Sequence, residues 1–208
     1  RNSALVLSAL RRHGPLAHTE LSDFTKLSSA TVSVITADLE RAQIIEKAEQ
    51  QAASGRGRPR VLFSQRRDCG YLIVVVISSD AVQYSLVDYS GRLIDRFTED
   101  RPQEGSGVGS FVAGLRDALS RIVARSQLSR DKVLMISISS KGLVDAAAAV
   151  LVWSPVLGTE KIDFQQLISQ DGRIRVTLNN ETLLAAKAIW MQEQAKDGPK
   201  PEALVTLS

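Results

Sequence analysis

A chain of 208 residues with 44% hydrophobic and 24% charged residues has an ordinary globular composition and is long enough for one or two domains. Its longest apolar run, residues 72–77, is too short to cross a bilayer, and arginines follow the first apolar positions, the reverse of a signal peptide, so we expect a cytoplasmic protein. One cysteine and two histidines exclude an internal disulfide and a zinc cluster, so neither a metal nor a cofactor is expected.

The net charge of +3 is unevenly distributed along the chain. Residues 1–70 carry eleven Lys or Arg and seven Asp or Glu, a net charge of +4, whereas residues 71–208 carry fifteen and sixteen, a net charge of −1. Five arginines fall within residues 56–67. A basic excess concentrated at the front of the chain favours a nucleic-acid partner there.

Residues 1–25 predict two helices. Asn2 or Ser3 is placed to cap the first helix, and Gly14 followed by Pro15 is placed to end it. Its apolar residues recur at helical spacing and are Leu5, Val6, Ala9 and Leu10. A second, shorter helix is predicted over residues 18–25, with two apolar side chains facing inward, those of Leu21 and Phe24.

A third helix is predicted after a tight turn through Lys26 and Leu27, with Ser28 as its cap. Its inward positions, spaced i, i+3 and i+7, are Val32, Ile35 and Leu39. Its outward positions carry small side chains: Ser29, Ala30, Ser33, Val34 and Ala37, with Thr31 at the edge. Two helices joined by a tight turn form a helix-turn-helix, and a slim outer face with hydroxyls and methyls suits the major groove of DNA. The alternative is a three-helix core with a merely small and soluble outer face.

Strands are predicted over residues 44–48 and 61–64, and the connection between them is longer than a tight turn. Such a hairpin directly after a helix-turn-helix is a wing. The wing residues that we expect to contact DNA are Arg56, Gly57, Arg58 and Arg60. The Arg-Gly-Arg-Pro segment resembles the AT-hook, in which an extended Gly-Arg-Pro lies in a narrow A·T minor groove. Taken alone, a Gly- and Arg-rich loop is more often a flexible, solvated turn.

The remaining elements follow a linker predicted at residues 66–70. Three strands of an antiparallel meander are predicted over residues 71–77, 82–87 and 92–97. A Gly-rich loop at residues 105–109 then leads to a helix through about residue 126, followed by a strand at 133–138, a strand at 150–153, a short helix at 164–169, a strand at 174–178 and a helix at 181–194. The order predicts an α+β chain in which a winged helix-turn-helix precedes one lobe of an actin-like (ribonuclease H-like) ATPase fold.

Along essentially its whole length the sequence resembles the ROK family of repressors, open reading frames and kinases. The match is carried by residues 27–33, the Gly-Arg-Pro wing, the Gly-Leu-Val-Asp stretch at 142–145 and Trp-Ser-Pro at 153–155. The resemblance implies a repressor whose second part binds a sugar or sugar derivative, which changes the geometry of paired DNA-binding domains. One slim helix reads few bases, so we expect a homodimer on a two-fold symmetric, A/T-rich DNA operator.

The resemblance also includes sugar kinases, but the residues that it implies for catalysis are missing. ROK kinases have a Gly-Gly-Thr phosphate loop after the first strand, where this chain has Ser78, Ser79 and Asp80. They carry an aspartate as general base where this chain has Asn180, and an amide cannot act as a base. We therefore expect no catalytic residue and no enzyme. The alternative is a sugar kinase or sugar-binding protein whose first module mediates protein contacts.

The ligand residues that the resemblance implies are Asn179 and Asn180, which would hold sugar hydroxyls, and Gly142, which would allow close backbone approach. An asparagine pair between a strand and a helix also serves as turn and cap residues, and both interpretations stay open. Lys141, where the family often has proline, departs from the pattern, as do Glu181 and Thr182.

The domains are predicted at residues 1–65 and 71–208. Residues 203–208 look like the first strand of a second actin-like lobe, so we expect that lobe to be absent from this chain.

Overall fold

The computed structural model describes residues 1–49, 61–101, 107–169 and 173–185. The first elements of the chain are three short helices followed by a hairpin. The chain divides into two compact units, Arg1–Gly70 with Asp88–Arg92, and Tyr71–Val87 with Leu93–Ser208. The predicted wing contacts at residues 56–60 lie outside the described residues. The stretch predicted as a linker contains a short 3-10 helix, Arg67–Cys69. No described helix is both long and apolar enough to span a membrane.

The first unit is a winged helix-turn-helix. Its elements are α1 (Asn2–His13), α2 (His18–Thr25), α3 (Ser29–Arg41), β1 (Ile45–Glu49) and β2 (Val61–Gln65). The two strands are antiparallel, with Ile45 opposite Gln65. The buried core is formed by Val6, Ala9, Leu10, Leu16, Leu21, Val32, Ile35, Leu39, Ile45 and Phe63. Two backbone hydrogen bonds between Leu16 and Phe63 (3.0 and 2.9 Å) fasten the strand to the segment that joins α1 and α2.

The predicted helix ends are partly confirmed. Ser28 caps α3 by accepting a hydrogen bond from the Thr31 backbone N–H at 3.2 Å. Gly14 ends α1 with a φ of 80° that favours glycine. Capping of α1 by Asn2 or Ser3 is wrong, because the helix already includes both, and Arg1 occupies the cap position without a side-chain hydrogen bond.

Two apolar side chains predicted to help form the first core are exposed instead. The face of α1 that meets the core carries Val6, Ala9 and Leu10, which leaves Leu5 at its solvent edge. Phe24 is 52% exposed, and its ring stacks on that of His13 with centroids 4.0 Å apart. Helical spacing alone does not distinguish the centre of an apolar face, such as Val6, from its edge, such as Leu5. The Phe24 ring packs on the exposed His13 ring instead of entering the core.

The second unit is built on a mixed five-stranded sheet. Its described elements are β3 (Tyr71–Ile77), β4 (Ala81–Asp88), β5 (Leu93–Asp100), α4 (Gly107–Arg125), β6 (Val133–Ser140), β7 (Leu143–Asp145), β8 (Val150–Trp153), β9 (Ile162–Asp163), α5 (Phe164–Ile168) and β10 (Arg175–Asn180), and residues 181–185 are helical. The sheet order is β10-β6-β3-β4-β5, with β3, β6 and β10 parallel and β4 antiparallel to β5. This is the ribonuclease H-like arrangement that the order of elements predicts. Strands β7, β8 and β9 form a separate three-stranded sheet.

One face of the five-stranded sheet carries the second core. Ile73, Val75 and Ile77 of β3 share it with the neighbouring side chains of β6 and β10, because side chains alternate along a strand. Helix α4 covers this face with one apolar stripe, formed by Phe111, Val112, Leu115, Ala118, Leu119 and Ile122. The core therefore holds the parallel strands in fixed register, and their carboxyl ends meet at one edge of the sheet.

Candidate nucleic-acid interface and ligand site

Helix α3 presents the small outer face that its sequence predicts. Ser29, Ala30, Ser33, Val34 and Ala37 are all exposed, whereas Val32, Ile35 and Leu39 are buried on the opposite side. Val34, the largest of the outward side chains, has 62% of its surface exposed. Thr31 is half-buried beside the cap, where its hydroxyl lies 2.8 Å from that of Ser28. The face is slim and uncharged, so its backbone can approach a DNA groove closely.

A tight turn sets α3 at an angle to α2. Lys26 has the left-handed φ of 58°, and its N–H donates to the Ser22 carbonyl at 2.9 Å, which ends α2. The Ala17 N–H at the other end of α2 donates to the Glu20 carboxylate at 2.7 Å. A local hydrogen bond is therefore present at each end of this short helix.

His18 links α2, α3 and β2 through contacts with Thr36 and Phe63 that the sequence does not predict, and we call this linkage the brace. The Thr36 hydroxyl, only 1% exposed, donates to the Val32 carbonyl at 2.9 Å. Because its hydrogen is committed there, its oxygen accepts from His18 Nε2, 2.8 Å away. The His18 ring also stacks on Phe63 of β2, with centroids 4.6 Å apart. One histidine thus joins α2, α3 and the base of the wing.

Exposed ion pairs surround the far end of α3. Arg41 pairs with Asp38 at 2.9 Å, and Lys47 of β1 pairs with Glu40 at 2.9 Å. Such exposed pairs contribute little to stability, typically about 0 to 1 kcal/mol.

The second candidate site lies at the carboxyl edge of the parallel strands. Ser140, the last residue of β6, is opposite both Ile77 of β3 and Asn180 of β10. The segments that leave these strands therefore start side by side, with Ser78 after β3 and Lys141 after β6. In open sheets of this kind, ligands bind outside the carboxyl ends of the strands.

The structure brings together two of the three predicted ligand residues. Asn180 Nδ2 donates to the Gly142 carbonyl at 2.9 Å, and Asn180 Oδ1 accepts from the Leu183 N–H at 3.1 Å, so this amide also caps the helical residues 181–185. Asn179 is half-buried and precedes Asn180 in the same strand, so its side chain points to the opposite face of the sheet. The two asparagines do not form a joint clamp.

Gly142 allows a close backbone approach, but the partner in this structure is the chain itself. Its φ of 125° favours glycine, and a Cβ at this position would lie 2.1 Å from the Trp153 carbonyl oxygen and 2.8 Å from Ser154 Cα. The glycine is therefore required for the turn after β6 to pack on the end of β8.

Known proteins are similar to this chain in part of the first unit and also along most of its length. A family model described as winged helix-turn-helix DNA-binding matches residues 4–46. The xylose repressor of Caldicellulosiruptor bescii is 24% identical over 198 residues, which are 94% of this chain and 49% of that protein. The DNA-binding transcriptional dual regulator NagC of Escherichia coli K12 is 23% identical over 176 residues, 85% of this chain and 42% of that protein.

A solved structure described as a ROK family transcriptional regulator, homologue of the E. coli MLC protein, has a TM-score of 0.70 at 22% identity, and the match covers 90% of this chain and 48% of that one. The chain is similar in fold to this ROK-family transcriptional regulator. The predicted family resemblance is confirmed, as is the predicted fold of a winged helix-turn-helix followed by an actin-like lobe. The chain spans about half the length of the curated ROK-family relatives that it matches.

Proposed function

We propose that this protein is a sugar-responsive transcriptional repressor that acts in the cytoplasm as a homodimer on a two-fold symmetric, A/T-rich operator. The observation that carries the proposal is the exposed, uncharged outer face of α3, held by a buried core and by the brace from His18 to Thr36. Repression in response to a sugar is supported by the relatives, which are named for xylose repression and for transcriptional regulation.

Helix α3 would enter the major groove with its cap and first turn leading. Ser28, Ser29, Thr31 and Ser33 offer hydroxyls for phosphates and base edges, whereas Ala30, Val34 and Ala37 offer methyl groups for thymine. The face has no Arg, Lys, Asn or Gln, the side chains that make bidentate contacts to guanine or adenine. Part of the sequence discrimination would therefore pass to the wing, where Arg56, Gly57, Arg58 and Arg60 would meet the minor groove.

Val34→Glu tests whether α3 is the DNA-binding face. The position is exposed, so the fold tolerates the change, but a carboxylate there would face the negatively charged groove. We expect operator affinity to fall by about a hundredfold or more, because a buried unpaired charge costs several kcal/mol. The measurement is fluorescence anisotropy with labelled DNA from upstream of the protein's own gene, at fixed salt.

Ala113→Glu is the matched control for that experiment. It adds the same charge at an exposed position of α4, in the other unit, and should leave operator affinity unchanged. Equal affinities for the wild type and Val34→Glu would refute the assignment of α3 to the groove.

Arg58→Ala tests the role of the wing. We expect a loss of about 1 to 3 kcal/mol in operator binding and a weaker preference for A·T pairs at the wing-facing positions. Arg67→Ala, an exposed arginine after the hairpin, should at most weaken binding to all sequences alike. Titrations use the operator and a copy with G·C pairs at those positions. If Arg58→Ala weakens both duplexes equally, the wing only contacts phosphates.

We further propose that the protein transfers no phosphoryl group. The Asn180 side chain is an amide, which can hydrogen-bond a sugar hydroxyl but is too weak a base to accept its proton. Incubation with ATP and a panel of hexoses and amino sugars should give no ADP above background. Turnover of any sugar in the panel would overturn this proposal.

A further inference from the structure

The three-stranded sheet of β7, β8 and β9 has one buried and one exposed face. Val144, Leu151 and Ile162 form or border the buried face, since Val144 pairs with Leu151 and Leu151 pairs with Ile162. Leu143 pairs with Trp153, so these two side chains project together to the other side. The irregularity in register between Leu143 and Val144 makes this possible, because it turns Trp153 away from Leu151.

Leu143 and Trp153 form a small apolar surface in solvent. Leu143 is 61% exposed and Trp153 is 46% exposed. The same face continues into two carboxylates, because Asp145 pairs with Val150, and Val150 pairs with Asp163. The surface formed by one indole and one leucine side chain is about the size of a single small ring. It is too small for a protein interface, which has roughly 20 to 30 residues on each side.

The backbone that carries this surface adjoins the candidate ligand site. Leu143 follows Gly142 directly, and the Gly142 backbone packs on the Trp153 carbonyl. The Gly142 carbonyl in turn accepts the hydrogen bond from Asn180 Nδ2. An asparagine amide has two N–H groups and two lone pairs on its oxygen, and within the part of the chain that the structure describes Asn180 uses one of each, so one of each is left for a ligand.

We propose that Trp153 and Leu143 form a platform for the apolar face of a neutral sugar ring, with the Asn180 amide bonding a ring hydroxyl. A sugar ring has C–H groups on its faces and hydroxyls around its edge, so it fits an aromatic surface beside a polar group. The ring is neutral because Asp145 and Asp163 on the same face repel an anion. The inference rests on the proposed sugar response and gives a ligand-binding role to Trp153, a residue of the Trp-Ser-Pro motif to which the family resemblance assigned none.

Tryptophan fluorescence tests the platform directly. The chain has two tryptophans, so Trp190→Phe leaves Trp153 as the single emitter. The probes are D-xylose, D-glucose, N-acetylglucosamine and, as the anionic arm, glucose 6-phosphate. We expect saturable quenching or a blue shift of Trp153 emission with at least one neutral sugar and none with the phosphate. A response to the phosphate alone would overturn the assignment of a neutral ring.

Calorimetric titration of the responding sugar measures affinity independently. Trp153→Ala should weaken binding by about tenfold or more, whereas Trp153→Tyr, which keeps an aromatic face, should retain most of the affinity. Leu134→Ala, an exposed leucine on β6, is the matched control and should bind as the wild type does. Circular dichroism spectra of all variants establish that they are folded.

The outcomes separate the platform from the proposed function. If a sugar binds or releases the operator but Trp153→Ala leaves its affinity unchanged, the platform is wrong and the sugar response stands. If none of the four probes binds by calorimetry or alters operator binding, the sugar response fails and the platform with it. DNA binding is measured separately with Val34→Glu and is unaffected by either result.

Discussion

Replacing Thr36 with valine removes one hydroxyl from the brace and keeps the shape of the side chain. The substitution deletes the acceptor of the 2.8 Å bond from His18 Nε2 and leaves that N–H without its partner on a half-buried ring. A net hydrogen bond contributes about 0.5 to 1.5 kcal/mol, and an unsatisfied buried partner costs about 1 to 3 kcal/mol. Part of this loss is offset in the valine variant. An apolar side chain is favourable at a site that is 1% exposed, and valine does not form the hydrogen bond from the Thr36 hydroxyl to the Val32 carbonyl, a bond that slightly destabilises a helix. We expect a destabilisation of about 1 to 2 kcal/mol.

A double-mutant cycle separates the bond from the packing. His18→Phe keeps a ring on Phe63 but removes both ring nitrogens, so its combination with Thr36→Val leaves no unpaired group. We expect a coupling energy of about 0.5 to 1.5 kcal/mol between the two sites. Thr25→Val is the matched control, because its hydroxyl donates to the Leu21 carbonyl at 2.6 Å within its own helix.

The assay is hydrogen exchange of the α3 amides, read by mass spectrometry on the intact chain. Exchange reports the opening free energy of this helix, so unfolding of the second unit does not enter the measurement. Additive effects, within about 0.3 kcal/mol, would refute the brace and leave the 2.8 Å contact without energetic consequence.

Three predictions concern the second unit. Gly142→Ala should destabilise it by about 3 kcal/mol or more, because its Cβ would lie 2.1 Å from the Trp153 carbonyl oxygen. Gly109→Ala, in α4, meets nothing within 4 Å and should be neutral or stabilising by up to about 1 kcal/mol, because alanine favours a helix. Both changes are measured by denaturant unfolding followed by tryptophan fluorescence. Burial, then the nearby Glu99 carboxylate, raises the pKa of Tyr84 from 10.0 to about 12. The raised pKa of Tyr84 corresponds to about 2 to 3 kcal/mol in the free energy of unfolding, which is fully present below pH 10 and is lost as the pH rises through 12. Tyr84→Phe should therefore remove a late, high-pH step from the phenolate absorbance titration. Phe97→Ala should lower the free energy of unfolding by about 2 to 4 kcal/mol, because the Phe97 ring stacks on Tyr84 with centroids 5.0 Å apart and two arginine side chains lie over it. A decrease of less than about 1 kcal/mol would mean that these contacts do not stabilise the unit.

Local signals explain why the first unit was largely predictable. Gly14 and Ser28 mark helix boundaries by their own chemistry, and the buried positions of α3 follow from spacing alone. The brace is different, because His18 and Thr36 are 18 residues apart and no pattern in either helix indicates that they meet. Phe24 shows the same limit, since a surface partner on another helix decides its exposure.

The second unit shows where strand patterns stop being informative. Strand β3 was predicted to the residue, because it is a continuous apolar run, whereas β7 and β9, with three and two residues, are too short to show a period. Strand β10 was predicted to end at Leu178 but continues to Asn180. This difference changes the expected ligand site, because Asn179 and Asn180 are consecutive residues of one strand and their side chains therefore point to opposite faces of the sheet.

The small side chains of α3 connect this geometry to DNA recognition. A long residue such as arginine or glutamine can adjust its rotamers to reach a base edge, but Ala30, Val34 and Ala37 place their methyl groups wherever the backbone lies. The proposed contact with thymine would then depend on the position of the whole helix to within a fraction of an ångström. The brace from His18 to Thr36 fixes that position relative to both α2 and β2. If α3 binds DNA as we propose, a recognition helix without long polar side chains needs a fixed position, and we expect the hydrogen bond from His18 to Thr36 to affect its specificity although neither side chain is proposed to contact the DNA.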